Sequence, residues 1–153
     1  MIALGAADFV VIDDDQDLRM LATLTFRLQG WDAHGAADAD AGIQILHDLV
    51  RSGSSPAVLL DVQMPLVDGW ETLTRIRADP ELADLAVLMC TVSATEEERL
   101  RGYALGADGF VGKPFEADDV VDAVRAVSLL SPAERLARRG GPPVIRPKSA
   151  VAD

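Results

Sequence analysis

Chemically active side chains stand at the carboxyl ends of four short apolar segments of this sequence. They are Asp13 and Asp14 after 9–12, Asp61 after 57–60, Thr91 after 86–90 and Lys113 after 110–111. Three carboxylates brought together would form a hard, oxygen-rich site that suits Mg²⁺. An ammonium and a hydroxyl beside them would stabilise the charge of a transferred phosphoryl group. The predicted chemistry is therefore phosphoryl transfer to Asp61, which would form an aspartyl phosphate.

This chemistry requires a fold that brings the ends of the apolar segments to one edge. Each segment is short and apolar, as is typical of a strand covered on both faces, and a weaker strand is predicted over 31–34. Between the strands, apolar residues recur at helical spacing, and Asp68 and Thr95 stand at predicted helix starts. Five strands alternating with five helices predict an α/β fold, a doubly wound five-stranded parallel sheet with helices on both faces. Such a sheet binds ligands at the carboxyl ends of its strands, where the active side chains would meet.

The composition limits the class of protein. The 153 residues are 49% hydrophobic with a net charge of −11, which predicts a globular domain that does not bind nucleic acid directly. No apolar run approaches the roughly 18 residues of a membrane helix, so no membrane insertion is expected. Cys90 is the single cysteine, which excludes an internal disulfide. Because the first residues also lack a secretory signal, the predicted location is cytoplasmic.

The last segment differs from the rest in both charge and composition. Residues 132–153 hold five basic side chains against two acidic ones, and GGPPVIRPKSAVAD shows no apolar period. We therefore expect one domain over 1–130, followed by a short helix and a Gly/Pro-rich basic tail or linker over 131–153. The arginines from Arg135 to Arg139 are predicted to form a solvated helix face.

Four motifs resemble the receiver domain of two-component response regulators, of the chemotaxis-regulator type. They are VIDDD at 11–15, LLDVQMPLVDG at 59–69, MCT at 89–91 and GFVGKPF at 109–115. The resemblance extends from Phe9 to Val127, and the four motifs at these spacings are far more specific together than any one alone. It implies that 1–130 is a receiver domain with a flavodoxin-like fold and the strand order 2-1-3-4-5.

The resemblance also implies a role for each residue of the site. Asp61 is the phosphoacceptor, and Lys113 contacts the phosphoryl group. Asp14 ligates Mg²⁺ directly, Asp13 does so largely through water, and Asp61 and the backbone carbonyl of Gln63 complete the protein ligands. The domain assists its own phosphorylation and dephosphorylation but is not an enzyme acting on a separate substrate.

A switch and a set of partners are implied in the same way. Thr91 moves to hydrogen-bond the phosphoryl oxygen, and Phe110 stands where an aromatic side chain swings inward as the threonine moves. The phosphoryl donor is a histidine kinase or a histidine phosphotransfer protein of a two-component phosphorelay. The face formed by the fourth helix, the fifth strand and the fifth helix then binds a downstream protein or a second copy of the domain. The chain would be a single-domain or truncated regulator.

Two other functions compete with this one. An aspartate-nucleophile phosphatase of the haloacid-dehalogenase type also uses a doubly wound sheet. That class has a DxD pattern, with a second acid two residues after the nucleophile, and in this sequence that position is Gln63. The other alternative is a phosphorylation-independent interaction module. The full set of acids, threonine and lysine disfavours it, and an acyl-phosphate assay separates all three.

Overall fold

The computed structural model describes residues 8–92 and 95–138. Within them, five strands form one sheet whose neighbouring strands are all parallel. The strands are β1 (Asp8–Ile12), β2 (Asp32–Ala36), β3 (Ala57–Asp61), β4 (Val87–Thr91) and β5 (Gly109–Gly112). Their order across the sheet is β2-β1-β3-β4-β5, so the predicted topology is confirmed.

Helices connect the strands and follow the last of them. They are α1 (Gln16–Leu28), α2 (Ala39–Arg51), α3 (Gly69–Ala78), α4 (Glu96–Leu105), α5 (Ala117–Ser128) and α6 (Pro132–Arg138). The first four begin after a side chain that accepts hydrogen bonds from the first turn, namely Asp15, Asp38, Asp68 and Thr95. Such a cap satisfies backbone N–H groups that a helix leaves without an internal partner. The helix starts predicted at Asp68 and Thr95 are confirmed.

Alternate residues of the sheet face two separate apolar layers. Val10 and Ile12 of β1 pack on the side covered by α2 and α3, whereas Phe9 and Val11 pack on the side covered by α1 and α5. Full burial of each such side chain contributes about 1.5–3 kcal/mol to stability. Because both faces are covered, the sheet is a rigid base for the side chains at its carboxyl end.

The prediction for the second strand was wrong at both ends. The N–H of Trp31 donates to the carbonyl of Phe26 at 3.1 Å, so Trp31 closes the end of α1 and does not begin the strand. The Trp31 ring lies edge-on to Phe9, with 5.2 Å between centroids. The strand then continues to Ala36, which is paired with Ile12. Pairing with β1, rather than local apolarity, sets the length of this strand.

A buried carboxylate joins the amino ends of β4 and β5. Asp108 is 1% exposed and accepts the N–H of Val87 at 2.9 Å. Guanidinium groups of Arg77 and Arg135 lie 2.9 and 3.2 Å from the same carboxylate. Arg135 also donates to the carbonyl of Asp84 at 2.9 Å, which holds α6 against the body of the domain. The prediction of a solvated face is therefore wrong for Arg135, because a buried acid is its partner.

Some predictions concern segments outside the described residues. These are the first residues, where no secretory signal is expected, and the Gly/Pro-rich tail over 139–153. The boundary at residue 130 stays a prediction. Among the helices that are described, none has both the length and the apolar composition needed to cross a bilayer.

Candidate functional site

The side chains predicted to act together lie at the carboxyl edge of the sheet. Asp61 and Thr91 are the last residues of β3 and β4, and Asp13 and Lys113 follow β1 and β5. The Lys113 ammonium lies 2.9 Å from Asp13 Oδ2 and 3.1 Å from Asp61 Oδ1. Carboxylate oxygens of Asp13, Asp14 and Asp61 lie within 4.8 Å of one another. The fold thus brings together residues that are far apart in the sequence.

The three consecutive acids of the first loop have three different environments. Asp13 is 4% exposed, and its second oxygen, Oδ1, accepts the N–H of Asp15 at 2.9 Å. Asp14 is exposed. Asp15 caps α1 and accepts the N–H groups of Asp17 and Leu18 at 3.0 and 3.2 Å. A buried ion pair, solvent and a helix N-terminus thus accommodate the three adjacent negative charges separately.

Backbone hydrogen bonds continue past the strand ends and hold the loops of the site. The N–H of Lys113 donates to the carbonyl of Thr91 at 2.8 Å, which ties the loop after β5 to β4. The N–H of Val62, the residue after Asp61, donates to the carbonyl of Cys90 at 3.0 Å. Each loop is therefore anchored on a neighbouring strand, and the positions of the functional side chains follow those of the sheet.

Burial controls the protonation of Asp61. Loss of water around this carboxyl, the largest cause, raises its pKa to about 6; the hydrogen bond from Lys113 opposes the rise and the charge of Asp13 adds to it. For Lys113, burial alone would lower the pKa, but the bonds to Asp13 and Asp61 outweigh it and raise the pKa above its usual value. Lys113 is therefore charged at neutral pH, and one ammonium serves a cluster of three acids.

The donor set of this cluster fits Mg²⁺, an ion that prefers oxygen ligands and retains several waters. The exposed carboxylate of Asp14 can be reached by a hydrated ion, and oxygens of Asp13 and Asp61 lie beside it. The backbone of Gln63 acts to lower the pKa of Asp61, so Gln63 lies beside that carboxyl group. Its backbone carbonyl as a ligand stays a prediction. A bound ion would supply positive charge that offsets the repulsion among the acids.

The two residues predicted to switch lie on neighbouring strands. Thr91 is 2% exposed, and Phe110 is half-buried. The Phe110 ring lies over Gly102 of α4, where a Cβ would overlap it. It is edge-on to Tyr103, with 5.6 Å between centroids, and its centroid is 6.5 Å from that of Trp70. The ring therefore already packs inward in this structure, and a switching role stays a prediction.

Two arginines of this region carry no sequence signal that would mark them as functional. Nη1 of Arg19 donates to the backbone carbonyl of Asp13 at 2.8 Å. The guanidinium of Arg101 lies 4.9 Å above the ring of Trp70, at a cleft of about 490 Å³ between the loop after β3 and α4. An arginine on a helix is usually solvated, so neither residue would be selected by its type. Arg19 lies one turn after the cap residue Asp15, and that position was the one sequence feature that placed it near the first loop.

A second group of side chains that could ligate a metal is formed by His47 of α2 with Asp79 and Glu81, which follow α3. Nδ1 of His47 is buried and has no hydrogen-bond partner among the described residues. His47 Nε2 lies 2.8 Å from Asp79, and Nδ1 lies 3.6 Å from Glu81. The Glu81 carboxylate is also bonded by both Nε and Nη2 of Arg51, each at 3.1 Å. Asp79 and Glu81 therefore lie beside opposite nitrogens of the His47 ring, and Glu81 is shared with Arg51.

Comparison of the sequence with known proteins agrees with the geometry of the site. Residues 9–125 match the response regulator receiver domain. One curated relative is the DNA-binding dual master transcriptional regulator RpaA of Synechocystis sp., 31% identical over 122 residues, covering 77% of this chain and 47% of RpaA. Response regulator MprA of a Mycobacterium species is 32% identical over 118 residues, covering 77% of this chain and 49% of MprA. The chain spans about half the length of these relatives.

Solved structures agree with the fold. The chemotaxis response regulator CheY4 of Vibrio cholerae superposes with a TM-score of 0.72 at 24% identity, covering 80% of this chain and 98% of that one. A response regulator receiver domain protein from Clostridium thermocellum gives a TM-score of 0.70 at 22% identity, covering 79% and 93%. At these identities the likeness concerns the fold alone, and it confirms the predicted flavodoxin-like class.

We expect Asp61→Asn to stabilise the protein when divalent ions are chelated. The pKa of Asp61 is raised from 3.8 to about 6 in the folded protein. Ionisation of Asp61 therefore lowers the free energy of unfolding, and this loss is absent below about pH 4 and complete above about pH 7. Asparagine stays neutral, so the gain should be about 3 kcal/mol at pH 7.5 and should vanish towards pH 4. Urea unfolding across this pH range measures it. A gain that is independent of pH, or equal in the exposed control Asp48→Asn, would contradict the prediction.

Mg²⁺ should raise the melting temperature of the unphosphorylated protein, because it relieves repulsion among Asp13, Asp14 and Asp61. Binding only to the folded state contributes about 2.7 kcal/mol when free ion is about 100 times its dissociation constant. Asp14→Ala should remove most of this gain. Asp17→Ala, which removes an exposed acid from the first turn of α1, should retain it. Thermal unfolding with and without Mg²⁺ measures both variants. Equal gains in Asp14→Ala and wild type would show that the ion is bound elsewhere.

Proposed function

The chain belongs to the response regulator receiver domain family, and from this premise we propose that it is a phosphoacceptor switch of a two-component phosphorelay. Asp61 receives a phosphoryl group from a histidine kinase or a histidine phosphotransfer protein, with Mg²⁺ bound by the neighbouring acids. The domain is a signalling switch rather than an enzyme acting on a separate substrate. A cytoplasmic location is part of this proposal.

The observation that carries the proposal is the contact of one lysine with two buried carboxylates. The Lys113 ammonium lies 3.1 Å from Asp61 and 2.9 Å from Asp13. An oxygen of Asp61 attacks the phosphorus as the bond to the donor histidine nitrogen breaks, and the imidazole leaves with the electron pair and is protonated. The ammonium then stabilises charge on the phosphoryl oxygens. Mg²⁺, when bound, supplies further positive charge to the same oxygens.

Two alternative functions are less well supported than the phosphoacceptor switch. Membership of the receiver family decides against a phosphatase of the haloacid-dehalogenase type, and Gln63 stands where that class has its second acid. A phosphorylation-independent interaction module would not need three clustered acids, whose repulsion costs stability. Phosphoryl uptake at Asp61 separates this module from the proposed switch.

The output of the proposed switch begins at Thr91. This residue ends β4, and its carbonyl accepts the N–H of Lys113 at 2.8 Å. A shift of Thr91 towards a phosphoryl oxygen would therefore displace the end of β4 and also the loop after β5. Phe110, on the neighbouring strand β5, packs on Gly102 of α4, and in this proposal the shift of Thr91 moves the Phe110 ring as well. We therefore propose that the α4–β5–α5 face binds a downstream protein or a second copy of the domain.

The nature of the downstream partner follows from the charge of the chain. A net charge of −11 disfavours direct contact with nucleic acid, although RpaA is described as DNA-binding.

We propose that the receiver domain ends at residue 130, after α5. Residues 131–153 then comprise the short helix α6, which Arg135 attaches to Asp108, and a Gly/Pro-rich basic tail or linker.

Asp61→Ala should abolish phosphoryl uptake while the fold survives. The variant removes the attacking oxygen but leaves Asp13 to pair with Lys113. Incubation with acetyl phosphate or with purified histidine kinases, followed by intact-mass measurement, tests it. Asp48→Ala, which removes an exposed acid of α2, should gain phosphate as wild type does. If Asp61→Ala still gains one phosphoryl group, the acceptor is another residue; if wild type gains none from any donor, the interaction module is favoured.

Thr91→Ala should accept phosphate but lose the coupling to the output face. Its hydroxyl is the group proposed to follow the phosphoryl oxygen, and Thr91→Ser, which keeps that hydroxyl, should retain the coupling. The measurement is the change in self-association on phosphorylation, by sedimentation, or the change in affinity for a captured partner. A response in Thr91→Ala as large as in wild type would refute the switch without affecting the assignment of Asp61.

A further inference from the structure

An arginine of α1 bonds the loop that carries two of the predicted metal ligands. Nη1 of Arg19 donates to the backbone carbonyl of Asp13 at 2.8 Å. The N–H of Asp13 donates to the carbonyl of Ala36 at 3.1 Å, so both backbone polar groups of this residue are paired. Because Asp13 is 4% exposed, loss of the donor to its carbonyl would be costly and would allow the loop to move.

The stem of Arg19 reaches this carbonyl by crossing β2 at a glycine. A Cβ on Gly35 would lie 2.9 Å from Cγ and 3.1 Å from Cδ of Arg19, and 3.4 Å from Thr23 Cγ2. Gly35 is paired with Val11, two residues before Asp13. The missing side chain at Gly35 therefore leaves the space along which Arg19 extends to the carboxyl end of β1.

The carbonyl that Arg19 holds determines how the next acid leaves the loop. The oxygen of Asp13 and the N–H of Asp14 belong to one planar peptide unit, so fixing the oxygen fixes the orientation of the unit. Asp14 is exposed, and the direction of its carboxylate depends on the backbone that carries it. Arg19 thereby acts on Asp13 and Asp14 together, although it contacts only the first.

We propose that Arg19 is a positioning residue of the metal site, which orients the acids of the first loop for a divalent cation through the Asp13 carbonyl. This inference rests on the proposed function, because it requires the Mg²⁺ site. The charge of Arg19 acts in the opposite direction, since a guanidinium near the acids repels a cation. Removal of Arg19 therefore weakens Mg²⁺ binding if positioning dominates and strengthens it if charge alone matters.

The test is the dissociation constant for Mg²⁺ of unphosphorylated full-length protein, measured by calorimetry at constant ionic strength. Loss of a group that orients metal ligands typically costs 10–100-fold in affinity, and we expect Arg19→Ala to weaken binding about 10-fold. Arg27→Ala is the matched control. Arg27 lies on the same helix and donates through Nε and Nη2 to the carbonyl of Ala33, at 3.0 and 2.7 Å. It should lose stability but keep its Mg²⁺ affinity.

Gly35→Ala separates position from charge, because it keeps every charged group and displaces only the Arg19 stem. It should weaken Mg²⁺ binding in the same direction as Arg19→Ala. If Arg19→Ala does not fold, Arg19→Met decides instead: it keeps an apolar stem along Gly35 but loses the donor to the Asp13 carbonyl. Positioning then predicts weaker Mg²⁺ binding, whereas charge alone predicts tighter binding.

Three results would overturn the inference. Unchanged or tighter Mg²⁺ binding in the folded Arg19 variant would show that position is not its contribution. An equal loss in Arg27→Ala would assign the effect to general stability. Absence of Mg²⁺ binding in wild type would overturn the proposed function as well. If wild type binds Mg²⁺ and takes up phosphate, and the Arg19 variant binds Mg²⁺ with the same affinity, only this inference is refuted and the proposed function stands.

Discussion

One ammonium group, that of Lys113, holds the buried acids of the site together. It lies within 3.1 Å of both Asp13 and Asp61, and charges at this distance interact strongly because water is largely excluded. A single cation does not balance three carboxylates, and the pKa of Asp61 is raised first by burial and then by the charge of Asp13. The site is therefore short of positive charge, which is the condition under which a divalent cation is bound.

The opposite end of the same strands shows the contrasting solution. Asp108, at the amino end of β5, is also buried, but Arg77 and Arg135 both pair with it and the N–H of Val87 bonds it. Guanidinium groups remain charged at all ordinary pH values, so this acid is satisfied permanently. One end of the sheet is therefore a fixed structural joint that also holds α6, whereas at the other end one ammonium group is shared by Asp13 and Asp61.

Between these two ends, the parallel sheet holds the strands and their loops in fixed relative positions. Its strands are buried on both faces, and its loops are bonded to neighbouring strands, as Lys113 is to Thr91. Because these groups are closely packed, the switch that we propose would act through small shifts of the strands and their loops. The Phe110 ring, which packs on Gly102 of α4, links β5 to that helix.

Several features of this protein follow from local sequence alone. Short apolar segments alternating with helical periodicity determined the fold class, and side chains that follow buried strands had to meet at one edge of a parallel sheet. The cap at Asp68 and the grouping of Asp13, Asp61, Thr91 and Lys113 could be predicted for this reason, whereas the metal ligands' individual roles rest on family resemblance. Tertiary structure alone decided the limits of β2, the pairing of Arg135 with Asp108, the inward position of Phe110 and the bond from Arg19 to the Asp13 carbonyl. Each of these depends on the distance and direction between side chains of different elements, and residue type and spacing along one element do not contain that information.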